Sequence, residues 1–290
     1  MVLLTACSTG QPTASRESVV ATSTQSSARA APVLVDTRPV DIPPTENVRN
    51  QELDTQASQT SNQASSSEVG WRLGKGNVWV ATGTPPACPE PLTLATPVDL
   101  SLVTSVLYPG QPRGDAFKPH GGFRFDNQSD NHVTVKVPFD AQLVRGSRAF
   151  RNGENQYAFE FIAPCGIYYW FGHLLELTPR FQAIADSLPL ADDKHQFFSL
   201  ATPVSVATGE LIATAVGYAA NTNVTVDWGA LDLRRKNGAR IRPEWAEKYS
   251  REFDEYAICW LDLLSADDTA RVRALPGGDA ESGKMSDYCH

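Results

Sequence analysis

The stretch from His120 to Asp126 reads His-Gly-Gly-Phe-Arg-Phe-Asp, and it decides the fold. Polar and apolar side chains alternate along it, as they do in a β-strand whose successive side chains point to opposite faces. Phe123 and Phe125 therefore share one face. His120, Arg124 and Asp126 share the other. The stretch predicts a strand with one apolar face toward the core and one polar face that lines a groove.

Two later stretches complete this pattern. Residues 170–174 read Trp-Phe-Gly-His-Leu, and residues 224–228 read Val-Thr-Val-Asp-Trp. In the second of these, Thr225 and Asp227 share a face opposite the two valines. Together with His173, these polar side chains can converge on the groove while the apolar residues fill the core.

The remaining patterns favour a mainly β protein. Period-two alternation continues in three segments, which are 133–137, 157–161 and 223–228. Turn-forming residues interrupt the strands at 109–110, 152–153 and 164–166. Helix signals are confined to 183–187 and 242–264. We predict an antiparallel β-sandwich or half-barrel at 71–240 with a helical and loop C-terminal extension at 241–290.

The N-terminal quarter of the chain has a different composition. Residues 8–69 contain no Phe, Tyr, Trp, Cys or His, and Ser, Thr, Gln and Ala dominate. Such a segment buries too little apolar surface to offset its chain entropy. We therefore predict a disordered tether over residues 8–70.

A short motif before the tether suggests a lipid anchor. Leu4-Thr5-Ala6-Cys7 resembles the bacterial lipobox, so residues 1–7 are interpreted as a truncated lipoprotein signal with Cys7 as the lipidated residue. The alternative is an ordinary free cysteine. No stretch has the roughly 20 apolar residues of a spanning helix, which predicts a protein anchored to the membrane without crossing it. The net charge of −8 argues against nucleic-acid binding.

Four further cysteines fit an exported protein. Cys88, Cys165, Cys259 and Cys289 allow three pairings, and the sequence does not choose among them. We favour Cys259 with Cys289, which closes a loop of about 30 residues, and Cys88 with Cys165 then follows. The alternative is four buried thiols.

The three signature stretches resemble, in order and rough spacing, those of lysostaphin-type zinc peptidases. The resemblance covers residues 103–234 and includes two supporting segments, 137–144 and 204–213. It implies the duplicated-hybrid-motif β-sandwich of that family. The family's first signature is His-x-Gly-x-Asp, whose His and Asp bind zinc, and here Arg124 stands at the Asp position. The last signature is His-x-His, and here Thr225 and Asp227 occupy the two His positions.

One catalytic position of the resemblance is kept. His173 matches the remaining catalytic His, while two of the three metal ligands have changed type. Arginine cannot lose its proton to become a ligand. We therefore predict a non-catalytic domain without a cofactor, in which Arg124 pairs with Asp227 where the metal would stand. Its predicted ligand is peptidoglycan or an envelope protein.

The alternative interpretation keeps an enzyme. His120, Asp126 and Asp227 would then bind zinc, with His173 as the base, in an endopeptidase that cleaves peptidoglycan peptides. Two structural explanations stay open as well. His173 could be a histidine of the core or of a turn. The aromatic run at 168–171 could be core and rim or a platform that stacks on sugars.

The C-terminal segment carries an acidic excess, which is usually a solvated face. Its alternative role is a lid over the groove, held by the bridge between Cys259 and Cys289. The compartment predicted for the whole chain is the cell envelope, with the domain facing the cell wall or periplasm.

Overall fold

The computed structural model describes residues 70–191, 196–221, 223–238 and 252–290. These residues form a mainly β structure. Its strands are β1 Trp71–Leu73, β2 Trp79–Ala81, β3 Ser105–Leu107, β4 Gln111–Arg113, β5 Ala116–Lys118, β6 Gly121–Arg124, β7 Val135–Lys136, β8 Ala141–Arg151, β9 Glu154–Ile162, β10 Ile167–Leu177, β11 Leu190–Ala191, β12 Phe198–Val206, β13 Leu211–Val216 and β14 Thr225–Asp232. The helices are α1 Pro179–Asp186 and α2 Ala266–Ala274.

One large sheet of ten strands carries most of the structure. Its main path runs β11-β8-β9-β10-β14-β6-β3, with β12 paired to β8 and β13 paired to β10 and β7. Most of its pairs are antiparallel, as predicted, but β11 runs parallel to β8. The sheet is therefore mixed. Two small hairpins stand beside it, β1-β2 and β4-β5.

Strand β10 is the centre of this sheet. On one side, residues from Tyr168 to Leu174 pair with β9. On the other side its first half pairs with β14 and its second half pairs with β13. The ladder with β9 breaks between Phe171 and Leu174, so the interruption falls at Gly172 and His173. A bulge of this kind bends a strand and changes the direction of a side chain.

Aromatic side chains fill the core beneath β10, β14 and β6. The rings of Phe171 and Phe123 both stack on that of Trp228, with centroid distances of 6.1 and 6.0 Å. Trp260, from the C-terminal segment, lies 4.4 Å from Trp228 and is fully buried. Buried rings of this size are large contributors to core stability. The segment after residue 252 therefore shares the core of the strands.

The predicted helices are only partly confirmed. The helix at 183–187 is present as α1, which begins earlier because Pro179 occupies its first turn after Thr178. A long helix was predicted at 242–264, and its first part, residues 242–251, lies outside the described residues. Its remainder forms two 3₁₀ turns, at Glu252–Tyr256 and Trp260–Leu263. Between them Ala257 bridges Leu231 of β14, and this pairing with the sheet excludes a continuous helix.

The strand predictions are mostly confirmed. The alternating segments at 157–161 and 223–228 lie in or overlap β9 and β14, and the segment at 133–137 contributes only the two-residue β7. Gly110, Asn152, Gly153 and Gly166 have positive φ angles at the predicted turns. The predicted tether and Cys7 lie outside the described residues. None of the described helices is long and apolar enough to cross a membrane.

Both favoured disulfides are present. Cys88 is bonded to Cys165 and Cys259 to Cys289, across sequence separations of 77 and 30 residues. Disulfides persist in oxidising environments, so they point to a secreted or envelope location. The second bridge ties the C-terminal residues to the segment that carries Trp260.

The C-terminal segment lies along β3 and β4. Its backbone bridges Val106 at Gly277, and the side chain of Gln111 donates to the carbonyl oxygen of Met285 at 3.0 Å. The Ser286 hydroxyl donates to the Pro109 carbonyl. The segment is therefore fixed along β3 and the loop into β4.

Candidate functional site

A cavity of about 1050 Å³, which we call the groove, opens beside the polar faces of β10 and β14. The first signature reaches it with His120, at the loop just before β6. The hairpin β4-β5 and the 3₁₀ turn at Glu252–Tyr256 supply further walls. The side chains that line it include those of Arg113, Lys118, His120, Trp170, His173, Tyr218 and Asp227.

Three of the predicted site residues meet in the groove. The Nε2 atom of His120 lies 3.3 Å from Oδ2 of Asp227. The Nε2 atom of His173 lies 3.3 Å from the same oxygen. One carboxylate oxygen is thus shared by two imidazole rings. The side chains are only 14%, 16% and 18% exposed for His120, His173 and Asp227, so these contacts are largely shielded from water.

The direction of His173 depends on the interruption in β10. Strict alternation would place His173 on the same face as Phe171, which is fully buried in the core. The structure instead gives His173 a φ angle of +59°, in the left-handed region that costs a non-glycine residue free energy. The extra residue at the bulge lets His173 face the groove while Leu174 returns to the core.

Gln156 on β9 holds the other nitrogen of His173. Its amide nitrogen donates to the Gly217 carbonyl at 2.8 Å and to the Glu154 carboxylate at 3.1 Å. The amide oxygen is therefore left to face Nδ1 of His173, at 3.4 Å. Because an amide oxygen only accepts, this contact favours a proton on Nδ1 and leaves Nε2 directed at Asp227.

His120 has a different environment. Its ring contacts the Trp170 indole edge-on, with centroids 4.7 Å apart, and its carbonyl oxygen accepts a hydrogen bond from Nη2 of Arg113 at 2.6 Å. Nδ1 of His120 is buried and has no hydrogen-bond partner in the described part of the chain. Burial lowers the pKa of His120, although the neighbouring Asp227 carboxylate opposes that effect. The effect of burial prevails, so the pKa of His120 stays below the usual value for histidine.

Asp227 is the anionic centre of the site. Burial by itself raises the pKa of a carboxyl group. The charges and hydrogen bonds of His120 and His173 outweigh it and hold the pKa of Asp227 well below its usual range. The carboxylate thus stays ionised, with the Nε2 atom of each ring 3.3 Å from its Oδ2 atom.

The predicted ion pair between Arg124 and Asp227 is wrong. Arg124 Nη2 lies 2.7 Å from Oδ1 of Asp126, and Asp227 contacts the two histidines instead. The strand register explains this. Arg124 is paired with Thr225, whereas Asp227 lies across from Gly122, two residues further along. Asp126 is on the same face as Arg124 and much closer to it.

Asp126 and Thr225 are also engaged by neighbouring groups. Asp126 accepts a hydrogen bond from the Thr104 hydroxyl at 2.8 Å as well as the contact from Arg124, so it does not reach the site with His120 that the alternative interpretation requires. The Thr225 hydroxyl is buried and donates to the Phe123 carbonyl at 3.1 Å. Both polar groups are committed to the local sheet.

Four residues at or beside the site lie outside the signature stretches and were not predicted. Arg113, Lys118 and Tyr218 line the groove, and the buried Gln156 contacts His173. The ring of Tyr218 packs against His173 with centroids 4.8 Å apart. Lys118 is two residues before His120, which begins the first signature, and this closeness in sequence was the available signal for a cationic wall. Gln156 carried none, because it lies in an ordinary alternating strand.

The side chains of the site can be compared with those that bind zinc in proteins. In the described residues, no group of three or more His, Cys, Asp and Glu side chains forms a ready metal cage. Two ligand atoms of a tetrahedral zinc, each about 2.0–2.2 Å from it, lie about 3.3–3.6 Å apart. The two nitrogen–oxygen distances of 3.3 Å fall in that range, and they are also those of long hydrogen bonds. Two imidazoles and a carboxylate fit zinc by type.

Comparisons with known proteins add no further constraint. The chain matches no protein-family model, no curated protein and no solved structure. The interpretation of the groove therefore depends on its own residues.

Proposed function

We propose that this chain is a lipid-anchored envelope protein whose peptidase-like domain binds peptidoglycan or an envelope protein without hydrolysing it. The proposal includes the finer fold assignment, the duplicated-hybrid-motif sandwich implied by the sequence resemblance. The observation that supports it is that residues at the expected metal-ligand positions are engaged within the sheet, beside an open groove. Arg124 and Asp126 pair with each other, and Thr225 hydrogen-bonds to the backbone.

The floor of the groove suits an extended ligand. Trp170 lies against two glycines, Gly229 and Gly172, and a Cβ atom at Gly229 would come within 2.1 Å of the indole nitrogen. Because glycine has no side chain, the indole can lie flat on the sheet at these two positions. Flat aromatic rings provide a stacking surface for sugars and for peptide planes. A volume near 1050 Å³ is at the upper end of the range for small-ligand sites.

The proposed location rests on two features. The two disulfides favour an oxidising compartment. The lipobox-like sequence before Cys7 and the long polar segment after it supply the anchor and the tether. A flexible chain of about 60 residues spans roughly 45 Å, so the domain could reach material well away from the membrane surface.

Co-sedimentation with insoluble peptidoglycan tests this function. We expect the wild-type protein to pellet with the polymer and to release no soluble fragments. Trp170→Ala should abolish pelleting because it removes the stacking floor. Phe150→Ala is the matched control, since Phe150 is 54% exposed and outside the groove. Release of fragments, or failure of the wild-type protein to pellet, would overturn the proposal.

A second candidate function is favoured by the convergence on Asp227. His120, His173 and Asp227 would bind a zinc ion, and the activity would be that of a metal-dependent endopeptidase. Bound zinc polarises a carbonyl and lowers the pKa of water. Gln156 would orient His173, and Trp170 would restrain the ring of His120.

Metal analysis separates the two functions. For an enzyme, the purified domain should contain one zinc per chain, and His120→Ala should lose both the metal and the release of peptidoglycan fragments. Asp126→Asn should keep both, since Asp126 is engaged by Arg124. This candidate is excluded if three results are found together. The wild-type protein purifies without metal, it still pellets with peptidoglycan after incubation with excess zinc, and it releases no fragments.

A further inference from the structure

The walls of the groove are more cationic than the chain as a whole. The net charge of the sequence is −8. The groove is nevertheless lined by four cationic side chains and three carboxylates, which are Arg113, Lys118, Arg145, Arg151, Glu160, Asp227 and Asp254. A local excess of one sign in a concave site attracts ligands of the opposite sign.

Most of these charges already have partners. Arg145 pairs with Glu160 at 3.3 Å, and Asp227 is shared by two histidines. Arg113 and Lys118 differ from the others, because neither has an ion-pair partner among the residues that the structure describes. The carboxylates of Asp227 and Asp279 act on Arg113 electrostatically without forming an ion-pair contact with it. Among the described residues, the cationic side chains of the groove that lack such a contact therefore include the two on the hairpin β4-β5.

Arg113 is held in place with most of its donors unused. A guanidinium has five N–H donors. In the described part of the chain, one of them, on Nη2, has an acceptor, the carbonyl oxygen of His120, and the buried Nε has none. This hydrogen bond fixes the guanidinium beside the His120–Asp227 pair. A preorganised guanidinium presents paired N–H groups to a carboxylate at low entropic cost.

Lys118 lies next to Arg113 across the hairpin. Gln111 is paired with Lys118 and Arg113 with Ala116, so Arg113 and Lys118 are diagonal neighbours on one face. Diagonal neighbours in an antiparallel pair are about 7–8 Å apart, which allows two long side chains to contact one ligand group. Both residues line the same cavity as Trp170, so this pair of cations and the stacking floor face one space.

We propose that Arg113 and Lys118 form a carboxylate-binding subsite in the groove, so that the ligand is one that carries a free carboxylate next to a flat face. This inference rests on the proposed binding function and specifies its ligand. The carboxylate could belong to an acidic residue of a peptide or to a uronic acid of a glycan. Both present the same group to the two cations, and the test distinguishes them.

The first experiment compares two forms of one polymer. Peptidoglycan is used either with its free carboxylates or after these are capped as glycinamides with a carbodiimide. We expect capping to weaken retention of the wild-type protein about tenfold. Lys118→Met should lose about tenfold on the native polymer and show little further loss on the capped one. Lys136→Met makes the same charge change on the exposed side of β7 and should behave like the wild type.

Soluble probes test the subsite apart from peptidoglycan. Tryptophan fluorescence is followed during titration with pentaglutamate, pentaglutamine and a hyaluronan tetrasaccharide. We expect pentaglutamate or the uronic-acid oligosaccharide to bind at least about tenfold more tightly than pentaglutamine, which is a difference of about 1.4 kcal/mol. The preferred anionic probe identifies the source of the carboxylate, and Lys118→Met should remove that preference.

The outcomes separate the two proposals. Equal retention of the wild-type protein on native and capped polymer, with equal binding of the acidic and amide probes, overturns the subsite and leaves the binding function standing. No retention on either polymer, with Lys118-dependent binding of an acidic probe, overturns peptidoglycan binding and supports the subsite. Loss of preference in the Lys136→Met control would also count against the subsite.

Discussion

Replacing Asp227 with asparagine is the sharpest test of the site. The substitution keeps the shape of the side chain and removes its charge. Hydrogen bonds to a charged group contribute about 1.5–3 kcal/mol each. The two contacts of Asp227 are 3.3 Å long, beyond the range of strong charge-assisted bonds, so the low end applies. Asparagine retains one acceptor oxygen, and we expect a net loss of about 2 kcal/mol in the free energy of unfolding.

Urea denaturation at pH 8, followed by far-UV circular dichroism, measures this loss. Asp126→Asn is the matched control, because its carboxylate is 46% exposed and an exposed ion pair contributes only about 0–1 kcal/mol. The linewidths and ring-proton shifts of His120 provide an independent readout by NMR. Since Asp227 raises the pKa of His120 against the effect of burial, Asp227→Asn should lower that pKa further.

The pH dependence has a definite sign. The pKa of Asp227 is depressed in the folded state, so its contribution is fully present above the unfolded pKa of about 3.9 and is lost as the pH falls through the folded value. The pKa of His120 is also depressed, so stability decreases as the pH falls below about 6.5, where the unfolded chain takes up the proton first. Asp227→Asn should abolish the first dependence and keep the second. A loss no larger than that of Asp126→Asn, or a rise in the pKa of His120, would refute the shared-carboxylate site.

Three further predictions concern packing and crosslinks. The double variant Cys259→Ala/Cys289→Ala removes the bond between two residues that are 30 positions apart. By the chain-entropy model, its free energy of unfolding should fall by about 3.7 kcal/mol in urea denaturation, and a fall of less than about 1 kcal/mol would contradict this. Gly229→Ala should displace the Trp170 indole, with a shifted tryptophan emission and a stability loss of about 1–3 kcal/mol, while Gly238→Ala, which has open space around it, should leave both unchanged. Phe159→Ala should cost about 3–5 kcal/mol in thermal or chemical unfolding because Phe159 is fully buried, and an equal effect of Phe150→Ala, at a position 54% exposed, would show that burial is not the cause.

Alternation along the chain was enough to predict the strands of the site. Phe123 and Phe125 are fully buried, as their spacing required, and Arg124 and Asp126 share the opposite face closely enough to form an ion pair. The two disulfides also follow the favoured pairing. These features depend on local periodicity or on a small set of possible pairings, both of which can be read from a sequence.

The partners of the polar side chains could not be predicted in the same way. Which acid Arg124 meets depends on the register between β6 and β14, and the sequence of one strand does not contain that register. His173 reaches the groove only through a bulge, a departure from period two that alternation cannot anticipate. The bridge of Ala257 to Leu231 is a long-range contact that replaced the predicted helix.

The position of Trp260 has a consequence for how the chain acquires its structure. This ring completes the aromatic stack with Phe123 and Trp228, yet it lies 137 residues after Phe123 in the sequence. During synthesis, which proceeds from the N-terminus, the core therefore lacks the Trp260 ring until the C-terminal segment has been made. Truncation before Trp260 should leave a species with exposed rings and a tendency to associate, instead of a smaller independent domain.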